Sequence, residues 1–412
     1  MAGANSRNYN YVGGVGGALG LVRLFFDEAA FAAGAQAAAI KQGGEGGWVA
    51  AFGYQPPAYI GQIAREKQPS VWQCLWLAPE VDEFRRGCEG EGFDRTARGE
   101  FGHQYGKDRY TYFEPAYALG TSGKHYSSQD RILVADIASR KDLASISFQI
   151  NSRHALDAPG EFLDFLSRSH LQTGAAAVQD RNRALMIYSL TLPQESQAQL
   201  RIVAPLLLLP ANADEIWING KPADRRPGPH GLSAQDVLYL QEGGVYASLR
   251  FVEAAGGFAG YEPTYHYRLD GKHELKAKSE EGRRLRTFAV GAMCCVLYSG
   301  PEQAVTGANV RGGFVVEMGT AKEYPTLGAF REHIETQTGV SENFNDGVWD
   351  VCYRSGAHEI SITKDLPRDL VLDKRVDGAR VAPPVHATTF SRLDNGVLTI
   401  SWKGVERVID LR

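Results

Sequence analysis

Residues 109–137 read R-Y-T-Y-F-E-P-A-Y-A-L-G-T-S-G-K-H-Y-S-S-Q-D-R-I-L-V-A-D-I, and the texture of the chain changes across them. Upstream, alanine, glycine and helix formers dominate. Downstream come short alternating runs split by turn dipeptides, the pattern of a large antiparallel β-structure. The stretch also holds the densest group of aromatic, His and Arg side chains in the chain. It reads as the junction between a helical piece and a β-domain.

Working outward on the C-terminal side, residues 132–137 and 144–150 alternate with period two and are expected strands. Further strands are expected over 184–192, 200–209, 214–218, 245–253, 286–298, 313–318, 348–354, 358–363 and 398–403. One short helix is expected over 326–337, and a helix or excursion over 161–170. Asn219-Gly220, Asp270-Gly271, Asp377-Gly378 and Asn395-Gly396 supply the positive φ angles of tight hairpins. Together they predict antiparallel sheets, so the fold class is mainly β, preceded by a short α-helical segment.

On the N-terminal side, residues 71–77 (V-W-Q-C-L-W-L) read as a first buried strand, followed by a glycine-rich polar run over 85–107. A loop of that length without its own structure is usually functional or disordered. Between 18 and 40 the apolar spacing is helical, with Leu21, Phe25, Ala29 and Ala32 near one face. Residues 13–20, G-G-V-G-G-A-L-G, match neither G-x-G-x-x-G nor a P-loop, so these glycines read as helix-packing positions. The resulting partition is a helical segment at 1–68, a linker strand and Gly-rich loop at 69–108, the main β-domain at 109–365, and a C-terminal hairpin region at 366–412.

The charge balance narrows the function classes. The net charge is −4, which offers no basic field for phosphates, so nucleic acid is not an expected partner. Tyr and Trp number 18 and 6, enough for sugar stacking but equally at home in β-cores. The five cysteines, Cys74, Cys88, Cys294, Cys295 and Cys352, form no C-x-x-C, which argues against a disulfide framework and leans towards a reducing compartment. The apolar run at 12–26 is broken by five glycines and Arg23, so it does not make a convincing signal peptide, and no stretch is apolar enough to predict a membrane span. A cytoplasmic location follows, unless the chain is part of an exported protein. The abrupt opening suggests a piece of a longer chain.

Thr111-Tyr112-Phe113-Glu114-Pro115-Ala116-Tyr117-Ala118-Leu119-Gly120 and Gln129-Asp130-Arg131-Ile132-Leu133-Val134-Ala135 resemble the entry to the β-domain of heparinase II/III-like polysaccharide lyases. There a T-x-x-T-P-x-Y-x-L-x-S segment precedes a Q-x-H-x-W-x-A segment. Arg311-Gly312-Gly313-Phe314-Val315-Val316-Glu317-Met318-Gly319, with Leu327-Gly328-Ala329-Phe330, resembles a later strand-then-helix element of that domain. The likeness runs over roughly residues 105–390. It departs at Gly120-Thr121, where the family has Ser, and at Arg131 and Leu133, where it has His and Trp. The resemblance implies a β-supersandwich after the end of an (α/α) toroid, and a protein, or the C-terminal part of one, that cleaves uronate-containing glycan by β-elimination.

Such a lyase removes the proton α to a uronate carboxylate and expels the 4-linked oxygen, using a base, an acid and a group that stabilises the enolate-like charge. The resemblance points to Tyr112 and His125 as catalytic. His103, Arg109, Tyr110, Tyr117, Tyr126 and Gln129 are the expected contacts to an acidic poly- or oligosaccharide. The competing reading is a non-catalytic carbohydrate-binding or structural β-domain, in which Tyr110 and Tyr112 pack on one strand face with their hydroxyls on structural partners.

Other constellations are weaker. His266 and His273 flank Asp270-Gly271 and are expected to be cross-strand neighbours on a hairpin rather than a metal pair. His358-Glu359 is not H-E-x-x-H, because Ile362 takes the last position, and no G-x-S-x-G occurs. Ligand spacing therefore does not support a divalent metal, and the cofactor is unknown. Arg283-Arg284-x-Arg286 suits either glycan carboxylates or a solvated sheet edge.

Overall fold

The computed structural model describes residues 68–76, 107–122, 133–137, 144–151, 175–190, 204–210, 213–224, 228–231, 235–252, 264–267, 273–275, 286–288, 292–296, 310–367, 370–381 and 386–412. The fold is mainly β, with antiparallel pairing throughout these residues. β1 (Ser70–Trp76), β2 (Lys107–Glu114), β3 (Tyr117–Ser122), β4 (Leu133–Ile137) and β5 (Ala144–Asn151) are successive neighbours in a first sheet. The hairpin β6 (Ala175–Asp180) and β7 (Arg183–Leu190) starts a second sheet, and β8 (Ala204–Pro210) returns to the first. β9 (Glu215–Ile218) and β10 (Lys221–Pro222) lie in the second, β11 (Gly228–Gly231) in the first, and β12 (Val237–Glu242) and β13 (Val245–Val252) again in the second.

β14 (Thr264–Tyr267) and β17 (Ala292–Val296) extend the first sheet, while β15 (His273–Leu275) and β16 (Arg286–Phe288), among the described residues, pair with each other alone. β18 (Val310–Thr320) lies between β13 and β7 in the second sheet and leads to α1 (Leu327–Gln337). A third sheet is a simple meander of β19 (Thr338–Asn345), β20 (Val348–Ser355), β21 (His358–Asp365), β22 (Leu370–Val376) and β23 (Ala379–Arg380). The ribbon β24 (His386–Thr388), β25 (Ser391–Asp394), β26 (Val397–Trp402) and β27 (Val405–Asp410) then rejoins the first sheet beside β1. Thus the strand placed in the 69–108 linker is an interior strand of the first sheet, and the 366–412 region contributes to two sheets.

The second sheet is the middle layer. β6 packs on β3 from one side and on β21 and β22 from the other. The alternation A-A-A-V-Q-D explains this: Ala176 and Val178 join Trp349, Val351, Tyr353, Ile360 and Ile362 in the core against the third sheet. Gln179 points the other way and bonds to β3. The rest of that face is covered by α1, whose buried Leu327, Phe330 and Ile334 meet Val237, Tyr239 and Tyr246. α1 begins where Thr326, extended in backbone, accepts the Ala329 amide on its hydroxyl at 3.1 Å. It ends at the extended, β-branched Thr338.

Two expectations are corrected. Residues 286–298 are not one strand; they hold β16 and β17, which belong to different sheets. His266 pairs with Cys294 in register, whereas His273 pairs with Phe288, so the two histidines are not cross-strand neighbours. Asp270-Gly271 and residues 161–170 lie outside the described residues, as does the helical segment. The turns Asn219-Gly220, Asp377-Gly378 and Asn395-Gly396 are present with positive φ at both residues.

Candidate functional site

A cavity of about 330 Å³ opens where two sheet edges meet the face of the first sheet. Its walls are β1–β3, the edge strand β6, and β22–β23. Arg109, Lys374 and Arg380 bring three cations to the lining, opposite Asp180. Arg380 is held in place: its Nε sits 3.2 Å from Asp373, whose other oxygen takes Arg375 at 2.6 Å. Asp180 lies 3.5 Å from Arg183. Lys374 is buried, on the same sheet face as its register partner Ile362.

Tyr110 and Gln179 define the floor. The Tyr110 hydroxyl accepts the Arg181 amide at 3.0 Å, and burial pushes its phenol up to about 12. Gln179 donates to the Leu119 and Arg181 carbonyls, both at 2.8 Å, and accepts from Thr121 at 2.9 Å. Its amide is therefore committed to joining the first two sheets.

Of the eight residues expected at a site, Arg109 and Tyr110 line this cavity. Tyr112 shares the strand face of Tyr110, but its hydroxyl turns to Glu114 at 3.4 Å and its ring meets Tyr117 edge-on at 6.1 Å. Burial, then the Glu114 carboxylate, raises the Tyr112 phenol to about 12. Such a phenol is protonated at neutral pH, so it can give a proton but is a poor base. Tyr117 is 4% exposed and its phenol is also raised by burial; it is a core residue. His103, His125, Tyr126 and Gln129 lie outside the described residues.

A second polar cluster was not anticipated. Glu317, 1% exposed, sits at the seam between α1 and the third sheet. It accepts from Tyr353 at 2.6 Å and Ser355 at 3.0 Å, with His333 at 3.3 Å and Arg183 at 3.6 Å. Burial alone would raise its carboxyl; the bonds from His333 and Tyr353, the Arg183 charge and Ser355 outweigh it and hold the carboxyl below its ordinary value. With every direction occupied, this carboxylate ties layers together and is not set up for chemistry. The available signal was a lone Glu inside the apolar run F-V-V-E-M.

Among the described residues, no group of three His, Cys, Asp or Glu is placed to hold a metal ion, and no helix is long and apolar enough to cross a membrane. No protein-family model matches the chain, and no curated protein matches it.

Proposed function

We propose that this chain recognises an acidic, uronate-containing oligosaccharide at the cavity between β2, β6 and β22–β23, as the β-sandwich part of a polysaccharide lyase-like protein. The observation that carries the reading is the convergence of Arg109, Lys374 and Arg380 on one cavity beside the Tyr110 ring. Guanidinium forks match carboxylates geometrically. The volume falls at the small end of the roughly 300–1,000 Å³ of ligand sites, which suits one sugar residue and its carboxylate.

The test is calorimetric titration with alginate, polygalacturonate, hyaluronan and chondroitin oligosaccharides, with neutral glucans as controls. Binding is expected only in the acidic set. Arg380→Ala removes a charge-assisted contact of about 1.5–3 kcal/mol and weakens it about tenfold or more. Equal affinity for neutral glucans, or an unchanged constant in Arg380→Ala, overturns the reading. β-Elimination is the second reading; it takes Tyr112, whose hydroxyl faces Glu114 outside this cavity, as the donor to the leaving oxygen. Ultraviolet absorbance of the unsaturated product follows it; turnover that survives Tyr112→Phe removes that residue from the chemistry.

A further inference from the structure

The sheet edges are not treated alike. Among the described residues the second sheet stops at β10, only Lys221 and Pro222, and the third at β23, only Ala379 and Arg380. Short, charged or proline-bearing edges resist pairing with other chains. β27 is longer, and its charges are interspersed with exposed apolar residues. Its six residues V-E-R-V-I-D are all exposed, and among the described residues it pairs only with β26. Val405 is 47% exposed, Val408 62% and Ile409 42%, with Leu411 at 59% just beyond.

The direction of its free backbone groups follows from one bond. Leu411 donates its amide to the Gly396 carbonyl at 2.8 Å. Odd-numbered residues therefore turn their backbone towards β26, and Glu406, Val408 and Asp410 present N–H and C=O outward. The side chains alternate too. Val405 and Ile409 share a face with Trp402 and Leu398, their register partners. The edge thus combines open hydrogen-bonding groups with an apolar strip.

We propose that β27 is a self-association edge, which pairs antiparallel with β27 of a second copy about a two-fold axis. The register sets Ile409 against the partner's Ile409, Val408 against the partner's Asp410, and Glu406 against the partner's Arg412. Charge selects this register. Pairing must match outward residues with outward residues, so only registers two residues apart are open. With Val408 on the axis, Glu406 faces the partner's Asp410. With Arg407 on the axis, it faces the partner's Arg407. Like charges directly opposite are destabilising. With Ile409 on the axis no like charges are opposed, and Arg412, already 2.7 Å from its own Asp410, receives the partner's Glu406. That self-complementarity is what a two-fold contact requires, and it favours a second copy over an unrelated strand. The proposal is independent of glycan binding.

Sedimentation of the whole protein across the micromolar range is expected to show a species of twice the monomer mass. Ile409→Lys abolishes it with unchanged far-UV circular dichroism. Glu406→Arg, on the surface and harmless to folding, also gives monomers, and adding Arg412→Glu restores the dimer. Ile409→Cys forms a disulfide-linked dimer under mild oxidation, because facing residues in a non-hydrogen-bonded pair have Cα atoms about 4.5 Å apart. Val408→Cys does so more slowly, and the unsubstituted protein is the control for native thiols. A monomer at all concentrations, a dimer indifferent to Glu406→Arg, or faster linkage at position 408 overturns the proposal.

Discussion

Replacing Tyr353 by Phe isolates the strongest bond of the buried Glu317 cluster. The phenol and the carboxylate are 2% and 1% exposed and 2.6 Å apart. A hydrogen bond to a charged group contributes about 1.5–3 kcal/mol. The ring remains in its core against Trp349 and Ile360, so no cavity is opened. Ser355, His333 and Arg183 still serve the carboxylate, which places the expected loss near 2 kcal/mol. Spread over an unfolding entropy of about 2.1 cal/mol/K per residue, that lowers the midpoint by about 2–3 °C, measurable by scanning calorimetry. The pH dependence has a definite sign. Glu317 is held below its ordinary value, so its contribution is present above the unfolded carboxyl value and is lost as pH falls through the folded one. The gap between the two proteins should therefore close as pH falls below the unfolded carboxyl value and through the folded one. Tyr239→Phe is the control, since that hydroxyl reaches the exposed Glu335 at 3.3 Å and should cost under about 0.5 kcal/mol. Identical melting at neutral pH, or a gap that persists in acid, would refute the reasoning.

Gln179→Leu removes the amide that joins β6 to β3 and leaves the buried Thr121 hydroxyl without its acceptor, at a cost of about 1–3 kcal/mol. Amide exchange in residues 175–180 should accelerate. Gly313→Ala drives a methyl group into the Met186 carbonyl across the β18–β7 pair and costs about 1–3 kcal/mol in a denaturant titration. In spectrophotometric titration, Tyr112→Phe should remove a phenol that ionises near pH 12, well above the usual 10.0. Loss of a phenol titrating near its ordinary value would contradict the burial of that ring.

The legible parts of the fold were those with short-range signals. Thr326 and the spacing of Leu327, Phe330 and Ile334 announce α1, and Asp377-Gly378 and Asn395-Gly396 announce their hairpins. β6 gave no such signal, because three alanines carry little strand propensity; its position is set by sheets on both sides of it. Asp346-Gly347 is a further tight turn of the same chemistry as the four expected ones. At the site, residue type singled out Arg109 and Tyr110 as ligand contacts, and both line the cavity. Lys374 and Arg380 arrive from more than 250 positions later, and no local pattern joins them to Arg109. Period-two reasoning puts Tyr110 and Tyr112 on one face, but only packing separates a cavity wall from a tyrosine bonded to Glu114.

β1 and β24 meet across most of the chain. Val71 donates to the Thr389 hydroxyl at 2.8 Å over a separation of 318 residues, and the Thr389 amide returns to the Val71 carbonyl at 2.9 Å. Closing a loop that long from a disordered chain carries a length-dependent entropy of about 5 kcal/mol, more than the few bonds of this short pairing return at once. The intervening sheets must condense first and shorten the effective loop. β1 is therefore made early and completed late. During synthesis its outer edge, between β2 and the still-unmade β24, stays open until the ribbon emerges from the ribosome. The first sheet is thus assembled against the direction of translation, and the edge left open meanwhile is where the growing chain is most exposed to pairing with other strands.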